Sequence, residues 1–462
     1  MNKKNTGIVM LLTAGMMLSL VQCGGQSGDN VADKTGGQGA TSAVATVPAE
    51  AATTAQPATS AEAVKQSPKE AETAVSVTDV TLTLEEALEH ARGYIDDLTI
   101  NNPVNAPGKV VSTWGRYFTW DNEKREDKKP YLYEWSYYNS VVFEGLDYIY
   151  DVTGDTIYSD YVTEYLSAMI ESDGSWTQLA NGPAAGYNKE HGLDCYKTAS
   201  LLLDYYDLTG EECYLTMADT LYQDLIEAKE QYSAENIGGN YYHTWASAPE
   251  YAVWLDGLYM SQPFMAEYAA RFDEAELDNI TSRFAWIGEN MYNPDTKLYY
   301  HAAGADKNSG GYWLRSIGWY AAAMTDVMDY MDSDNLTAMQ AQLQKLLDGM
   351  KAYQDSETGM WSNYVTGKAD EKNNRLETSG TALLSYAIMK AVNNGWLDES
   401  YADMGLQAFT GICANELDGD SLSAICFKGA PGSDNATFYD NEGKGAGPFI
   451  MAYAEVLRYS QK

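Results

Sequence analysis

From Leu84 onward the apolar residues recur at steps of three and four. Leu84, Leu88, Ala91 and Ile95 follow one another at helical spacing. The segment before them, Thr83-Leu84-Glu85-Glu86, is a capping-box pattern that predicts a helix N-terminus. Further stripes run through Val141, Leu146 and Ile149, then Leu201, Leu202, Tyr205 and Tyr206. Others span 260–268, 320–331, 339–350, 383–392 and 449–457. Turns rich in glycine and asparagine separate them, and strand-like alternation is confined to short pieces. The pattern predicts an all-α body of successive helices.

Two of these helices end alike. Asp151-Val152-Thr153-Gly154-Asp155 and Asp207-Leu208-Thr209-Gly210-Glu211 stand 56 residues apart, each followed by a new run. Such a period marks stacked helical hairpins, of which about six or seven fit residues 81–462. Hairpins of this kind form an open solenoid or close into an (α/α) toroid. Closure is favoured by what the inter-helix loops carry: Tyr137-Tyr138-Asn139, Trp176, Tyr241-Tyr242-His243, Trp245, Tyr299-Tyr300-His301 and Trp361. The chain has 36 Tyr and 11 Trp against 9 Phe, a preference for rings with a polar edge. Such rings suit carbohydrate, which offers an apolar face and hydroxyls together; they also fill large helical cores.

The N-terminal part reads differently. Residues 1–23 resemble an export segment, with Lys3 and Lys4 before an apolar run from Ile8 to Val21. That run is shorter than the roughly 20 residues of a spanning helix. Leu20-Val21-Gln22-Cys23 resembles a bacterial lipobox, so Cys23 is the expected lipidation site and the bacterial cell envelope the expected location. An ordinary secretory signal with an unmodified Cys23 is the alternative. Residues 24–80, rich in Ala, Thr, Ser, Gln, Gly and Pro and without an aromatic residue, read as a disordered linker. Residues 81–462 remain as one catalytic-size domain.

A formal charge of −36 argues against nucleic acid as a partner, because phosphate binding needs a basic surface. It also means that a small anionic ligand needs local positive charge in its pocket. The cysteines at 195, 213, 413 and 426 form no CxxC pair. Pairing of Cys195 with Cys213 and of Cys413 with Cys426, or buried free thiols, both fit the spacing.

Three constellations carry candidate chemistry. Asp256, in Trp254-Leu255-Asp256-Gly257-Leu258-Tyr259, stands just before a helical run and reads either as a cap or as a functional carboxyl. Held between Trp254 and Tyr259, it would be desolvated and its pKa raised, as suits a general acid. Arg315, between Trp313 and Trp319, reads as a structural ion pair or as a ring-stacked carboxylate anchor. Asp194, in His191-Gly192-Leu193-Asp194, opens another helix; no second cluster completes a metal site.

Several blocks resemble glycoside hydrolase family 105, the unsaturated rhamnogalacturonyl hydrolases, and they occur in family order. They are WLDGLYMSQPFMAEYA, LYYHA, GYWLRSIGWYAAAMTDVMDYM, ETSGTALLSYAIMKAV and GPFIMAYAEVLR. The resemblance covers roughly residues 85–460 and implies an (α/α)6 barrel with its site in the loop-lined mouth. It implies Asp256 as catalytic acid/base and Asp194 as a second, substrate-facing aspartate. It also implies Tyr137, Tyr138, His243, Trp245, Trp313, Arg315, Trp319 and Tyr439 as substrate contacts. Where the family continues its second aspartate with His, Asn and Pro-Gly, this chain has Cys195-Tyr196-Lys197-Thr198, which bears on the leaving-group subsite.

The implied substrate is a small unsaturated oligosaccharide from pectin whose terminal uronic acid carries a C4=C5 double bond beside the ring oxygen. No cofactor or metal is implied, and a membrane only through the lipid anchor. Three alternatives remain at this point: an unsaturated glucuronyl hydrolase on ulvan or glycosaminoglycan products, a non-catalytic sugar-binding lipoprotein, and an inverting glycosidase using Asp256 with Asp194.

Overall fold

A computed structural model describes residues 82–98, 135–177, 192–247, 249–304, 308–309, 311–367, 374–428 and 436–462. The expected export segment, Cys23, the linker and His191 lie outside the described residues. Among the described residues no helix is long and apolar enough to cross a membrane.

Twelve α-helices are described: α1 (Leu84–Leu98), α2 (Tyr137–Thr153), α3 (Thr156–Met169), α4 (Leu202–Thr209), α5 (Glu212–Tyr232), α6 (Leu255–Phe272), α7 (Glu276–Asn290), α8 (Leu314–Met328), α9 (Ser333–Met350), α10 (Thr378–Asn393), α11 (Ala402–Asn415) and α12 (Gly443–Ser460). A 3₁₀ segment, Leu193–Leu201, runs directly into α4. Helix α1 opens as its sequence requires. Thr83 N–H donates to Glu86 Oε2 at 2.8 Å and Glu86 N–H to Thr83 Oγ1 at 3.2 Å, the two halves of a capping box.

The helices alternate between two environments. Residues 255–269 of α6, 314–328 of α8 and 378–392 of α10 are buried on every side. Helices α1, α5, α7 and α9 bury only one stripe. Helices apolar all round belong inside a second layer of amphipathic ones. The inner set forms a closed ring: α2 packs on the 3₁₀ segment, that on α6, then α6 on α8, α8 on α10, α10 on α12, and α12 back on α2. This is an (α/α)6 barrel, and the open-solenoid alternative is excluded by the α12–α2 contact. The described strands are short and form four two-stranded antiparallel sheets.

The repeated Thr-Gly turns show why inner helices stop where they do. Gly154 and Gly210 follow α2 and α4 at φ 71° and 73°, and their N–H groups donate to Tyr150 O and Tyr206 O at 2.7 and 2.8 Å. Only glycine takes this left-handed cap without Cβ strain. In both copies the threonine hydroxyl donates back to the carbonyl four residues earlier and accepts the N–H two residues later. A reversal of two helices is thereby encoded in five residues.

At the seam that closes the ring, Gly447 of α12 lies against Val141 of α2. A Cβ built there would fall 2.6 Å from the Val141 carbonyl carbon and oxygen. Gly447→Ala must push α12 off α2, and overpacking of this kind costs about 1–3 kcal/mol. A denaturant titration should show that loss as a lower midpoint with an unchanged slope.

Two ion-pair clusters tie the inner helices together. Lys197 Nζ lies 2.5 Å from Glu144 Oε1, and the Tyr259 hydroxyl donates to Glu144 Oε2 at 3.0 Å, joining the 3₁₀ segment, α2 and α6. Lys390 Nζ stands 2.7 Å from Asp326 and 2.9 Å from Asp329, linking α10 to the end of α8. Removing one partner of such a buried pair costs about 3–5 kcal/mol. Cys195, Cys213, Cys413 and Cys426 are all free thiols, so neither pairing forms.

Candidate active site

The six inner helices begin at one end of the barrel, and each delivers side chains there from its first turn. Tyr137 and Tyr138 start α2, Asp194 opens the 3₁₀ segment, and Asp256, Arg315 and Ser379 lie in the first turns of α6, α8 and α10. Lys444 does so in α12. Helix N-termini carry partial positive charge from unsatisfied N–H groups. Six of them converge where the chain, acidic overall, must hold an anion.

Asp256 is buried and is not a cap; the cap residue of α6 is Trp254, and Asp256 lies in the first turn. The Ser316 hydroxyl donates to Asp256 Oδ2 at 2.6 Å. His301 Nδ1 lies 3.3 Å from the same oxygen and 2.7 Å from Ser316 Oγ. Because the Ser316 proton is committed to Asp256, the imidazole supplies the hydrogen in its own contact with Ser316. His301 reaches the site through backbone pairing: β1 (Val253–Trp254) and β2 (Ala302–Ala303) run antiparallel, and Leu255 N–H donates to His301 O at 3.1 Å.

The expectation of a raised Asp256 pKa is reversed. Burial does push it up, but the charge and hydrogen bond of His301, with His243 and the Ser316 hydroxyl, outweigh burial. They hold the carboxyl well below the ordinary carboxylate range. The expected bracket of rings is also only half right. Trp254 stacks on His243 at 4.4 Å and lies 5.1 Å from His301, so it walls the site. Tyr259 turns into the ring core, bonded to Glu144 and stacked on Trp319 at 4.7 Å.

Asp194 faces Asp256 across His243. His243 Nε2 is 3.5 Å from Asp194 Oδ1, and its buried Nδ1 faces Gly257 without a hydrogen-bond partner. The Asp194 side chain is 44% exposed, reachable by water though surrounded by the mouth. Desolvation there raises its pKa, helped by the like charge of Asp256 and opposed by His243 and Lys444. The two aspartates are thus pushed apart, Asp256 toward the ionised form and Asp194 toward the protonated one.

Arg315 is buried, with its guanidinium carbon 4.3 Å above the Trp313 ring. Its Nη1 donates to Ser379 Oγ at 3.3 Å and to the Cys426 carbonyl. Among the described residues no carboxylate lies within ion-pair distance of it, so it is not the structural salt bridge that the sequence left open. Glu377, the nearest candidate on α10, is already the helix cap. It accepts from the N–H groups of Ser379, Gly380 and Cys426 at 3.0, 2.8 and 3.0 Å. Trp313 is fixed by its own indole N–H, which donates to Asn363 Oδ1 at 3.0 Å.

The other expected contacts are placed unevenly. The Tyr137 and Tyr138 rings lie 4.2 Å apart, tilted by 38°, and Tyr137 is close enough to Asp194 and Arg315 to feel both charges. Trp245 stacks on Tyr232 at 4.4 Å and lines a cleft with Tyr196, Asp224 and Glu227. Tyr439 is 38% exposed on β4 (Thr437–Tyr439), paired with β3 (Ile425–Lys428), whose Cys426 holds Arg315. Trp319 is 1% exposed and lies in the core rather than in the mouth. Of the unusual residues after Asp194, Lys197 and Thr198 also point into the core, toward Glu144 and Ser140. His301 was named from the sequence only within the Tyr299-Tyr300-His301 loop cluster and the LYYHA block, and Ser316, Glu442 and Lys444 were given no role.

With this geometry in hand, the match to known proteins is informative. Residues 114–460 match the family model described as Glycosyl Hydrolase Family 88. The chain belongs to that family. It is a glycoside hydrolase of the family 88/105 group of unsaturated glycuronyl hydrolases, as the ordered blocks imply. It is similar to a family 105 glycoside hydrolase of C. acetobutylicum, 26% identical over 70% of this chain and 94% of that one, with a TM-score of 0.63. The unsaturated glucuronyl hydrolase of Bacillus sp. GL1 shares the fold: 13% identity, 80% and 96% coverage, TM-score 0.56. Protein Atu3128 of Agrobacterium fabrum is 26% identical over 43% of this chain and 98% of its own length.

Proposed function

We propose that this enzyme removes the terminal 4-deoxy-4,5-unsaturated galacturonic acid from pectin and rhamnogalacturonan oligosaccharides by hydrating its enol ether, with Asp256 as central acid/base. The observation that carries the reading is Asp256 itself. It is a buried carboxyl bonded to His301 and Ser316, facing Asp194, in a mouth that also holds Arg315, which has no carboxylate partner among the described residues.

Protonation of C4 leaves positive charge at C5, shared with the ring oxygen. Water adds to C5 and gives up a proton. The hemiketal so formed opens, and C1 sheds the next sugar. One group that donates and then accepts suffices, so no second carboxylate is needed at C1. Asp256 rests ionised and must gain a proton before the first step. Arrival of the substrate carboxylate and exclusion of water both raise its pKa, which moves it toward that form. Arg315, stacked on Trp313, anchors the substrate carboxylate.

The opposed shifts of the two aspartates favour a second assignment, in which Asp194 donates to C4 and Asp256 activates water. Asp194→Asn separates the two. A loss equal to that of Asp256→Asn supports the shared assignment; a clearly smaller one supports Asp256 alone.

The substrate is tested with unsaturated disaccharides made by pectin, ulvan and glycosaminoglycan lyases, following loss of enol-ether ultraviolet absorbance. Decay fastest on the pectin product is expected. Decay confined to another product reassigns the sugar to a glucuronyl type. Binding with no decay on any of them would make the protein a sugar-binding lipoprotein instead. Attachment at Cys23 to the bacterial cell envelope belongs to the same proposal, and incorporation of labelled fatty acid, abolished by Cys23→Ala, tests it.

A further inference from the structure

Lys444 occupies an expensive position. It is buried in the first turn of α12, where the helix end is positive and a cation is disfavoured. Burial and the neighbouring Arg315 both act against its charge. Its Nζ lies 3.3 Å from Glu442 Oε1 and 5.0 Å above the Tyr138 ring, and its charge is felt at Asp194. Glu442 is itself occupied as the cap of α12, where its Oε2 accepts the Lys444 N–H at 2.9 Å. A lysine serving packing alone would be better replaced by an apolar residue at a helix start.

We infer that Lys444 is a second carboxylate-binding cation of the mouth, which with Arg315 and over the Tyr137–Tyr138 floor selects a uronate over its neutral forms. The inference rests on the proposed uronate substrate. The charges of Arg315 and Lys444 act on each other; Arg315 acts on Tyr137, and Lys444 stands over Tyr138, whose ring lies 4.2 Å from that of Tyr137, so one anion can lie near both. Glu442 holds the lysine in place through the charge pair and balances it while the mouth is empty. An arriving carboxylate relieves the repulsion between the two cations, which is why the site tolerates both. Selectivity then comes from leaving the repulsion between the two buried cations unrelieved when a neutral sugar binds.

The test compares an unsaturated galacturonyl disaccharide with its methyl ester in the wild type, Lys444→Met and Lys444→Arg, by calorimetric affinity and by enol-ether decay. The wild type should favour the acid. Lys444→Met should reduce the acid-to-ester affinity ratio about tenfold, mainly through KM rather than kcat, the loss of one charge-assisted contact. Lys444→Arg should keep most of the ratio. A ratio unchanged in folded Lys444→Met overturns the inference, since a structural lysine would weaken both ligands alike. If Lys444→Met does not fold, Lys444→Gln, which keeps a donor for Glu442 and removes the charge, decides on the same ratio. Absence of decay on any unsaturated substrate by the wild type would refute the proposed reaction. The affinity ratio would still report on Lys444.

Discussion

Asp256→Asn lowers kcat on the unsaturated disaccharide by about 10³-fold or more. General acid–base catalysis by one positioned group contributes about 10²- to 10⁴-fold, and here one carboxyl performs both transfers. The substitution keeps the shape of the side chain and can still accept from Ser316, so KM should move far less than kcat. The fold should persist with a modestly lower melting temperature. The sign of that change follows from the charge environment. The folded pKa of Asp256 lies below the unfolded value of about 3.9, so ionised Asp256 stabilises the protein above that pH. That contribution is lost as pH falls through the folded pKa. The melting gap between wild type and Asp256→Asn should therefore narrow below about pH 4. A variant with near-normal turnover would remove Asp256 from the centre of the mechanism.

Arg315→Met lowers kcat/KM by about 10²- to 10³-fold, and does so chiefly through KM. Each charge-assisted hydrogen bond to a carboxylate is worth about 1.5–3 kcal/mol, and a guanidinium can make two in parallel. Methionine preserves much of the contact with Trp313, so the loss reports the charge rather than the packing. The Cys426 carbonyl would also lose its donor, which predicts some loss of stability alongside. Arg315→Lys should recover charge but not the paired geometry, leaving an intermediate deficit. Steady-state kinetics on the acid and on its methyl ester would separate the two effects. The ester should be nearly indifferent to Arg315→Met.

What could be read from the sequence was mostly local. The capping box at Thr83–Glu86 and the Thr-Gly reversals at Gly154 and Gly210 depend on residues within five positions, and each forms as its pattern requires. The helices were legible from apolar residues at helical spacing, but that a run such as Ala321-Ala322-Ala323-Met324 belongs to an inner helix buried on all sides emerges only in the fold. Closure of the ring was less so, because the α12–α2 contact joins the two ends of the domain. The site shows the same division. Asp256, Asp194 and Arg315 stand out in their own segments, and the structure brings all three to one end of the barrel. The ionisation of Asp256 was misread because its nearest sequence neighbours are rings. The groups that set its charge, His301 and Ser316, come from 45 and 60 residues further on. Tyr259 misled for a related reason: almost one turn further along α6 than Asp256, it lies deeper in the barrel and bonds to Glu144 in the core.

Lys444 and Glu442 escaped notice because a Gly-Lys-Gly stretch offers no pattern. Their meaning arises only when α12 closes against α2 and sets the ammonium over Tyr138. The same closure gathers six helix N-termini around one mouth, so a protein with a formal charge of −36 presents a local site for an anion.

The most direct test of the account follows enol-ether absorbance and new reducing ends together during digestion of an unsaturated galacturonyl disaccharide. Hydration at C4=C5 predicts that absorbance disappears as the saturated sugar is released, one for one, and that both stop in Asp256→Asn. Release of reducing sugar with the absorbance intact would mean ordinary cleavage at C1 and would contradict it.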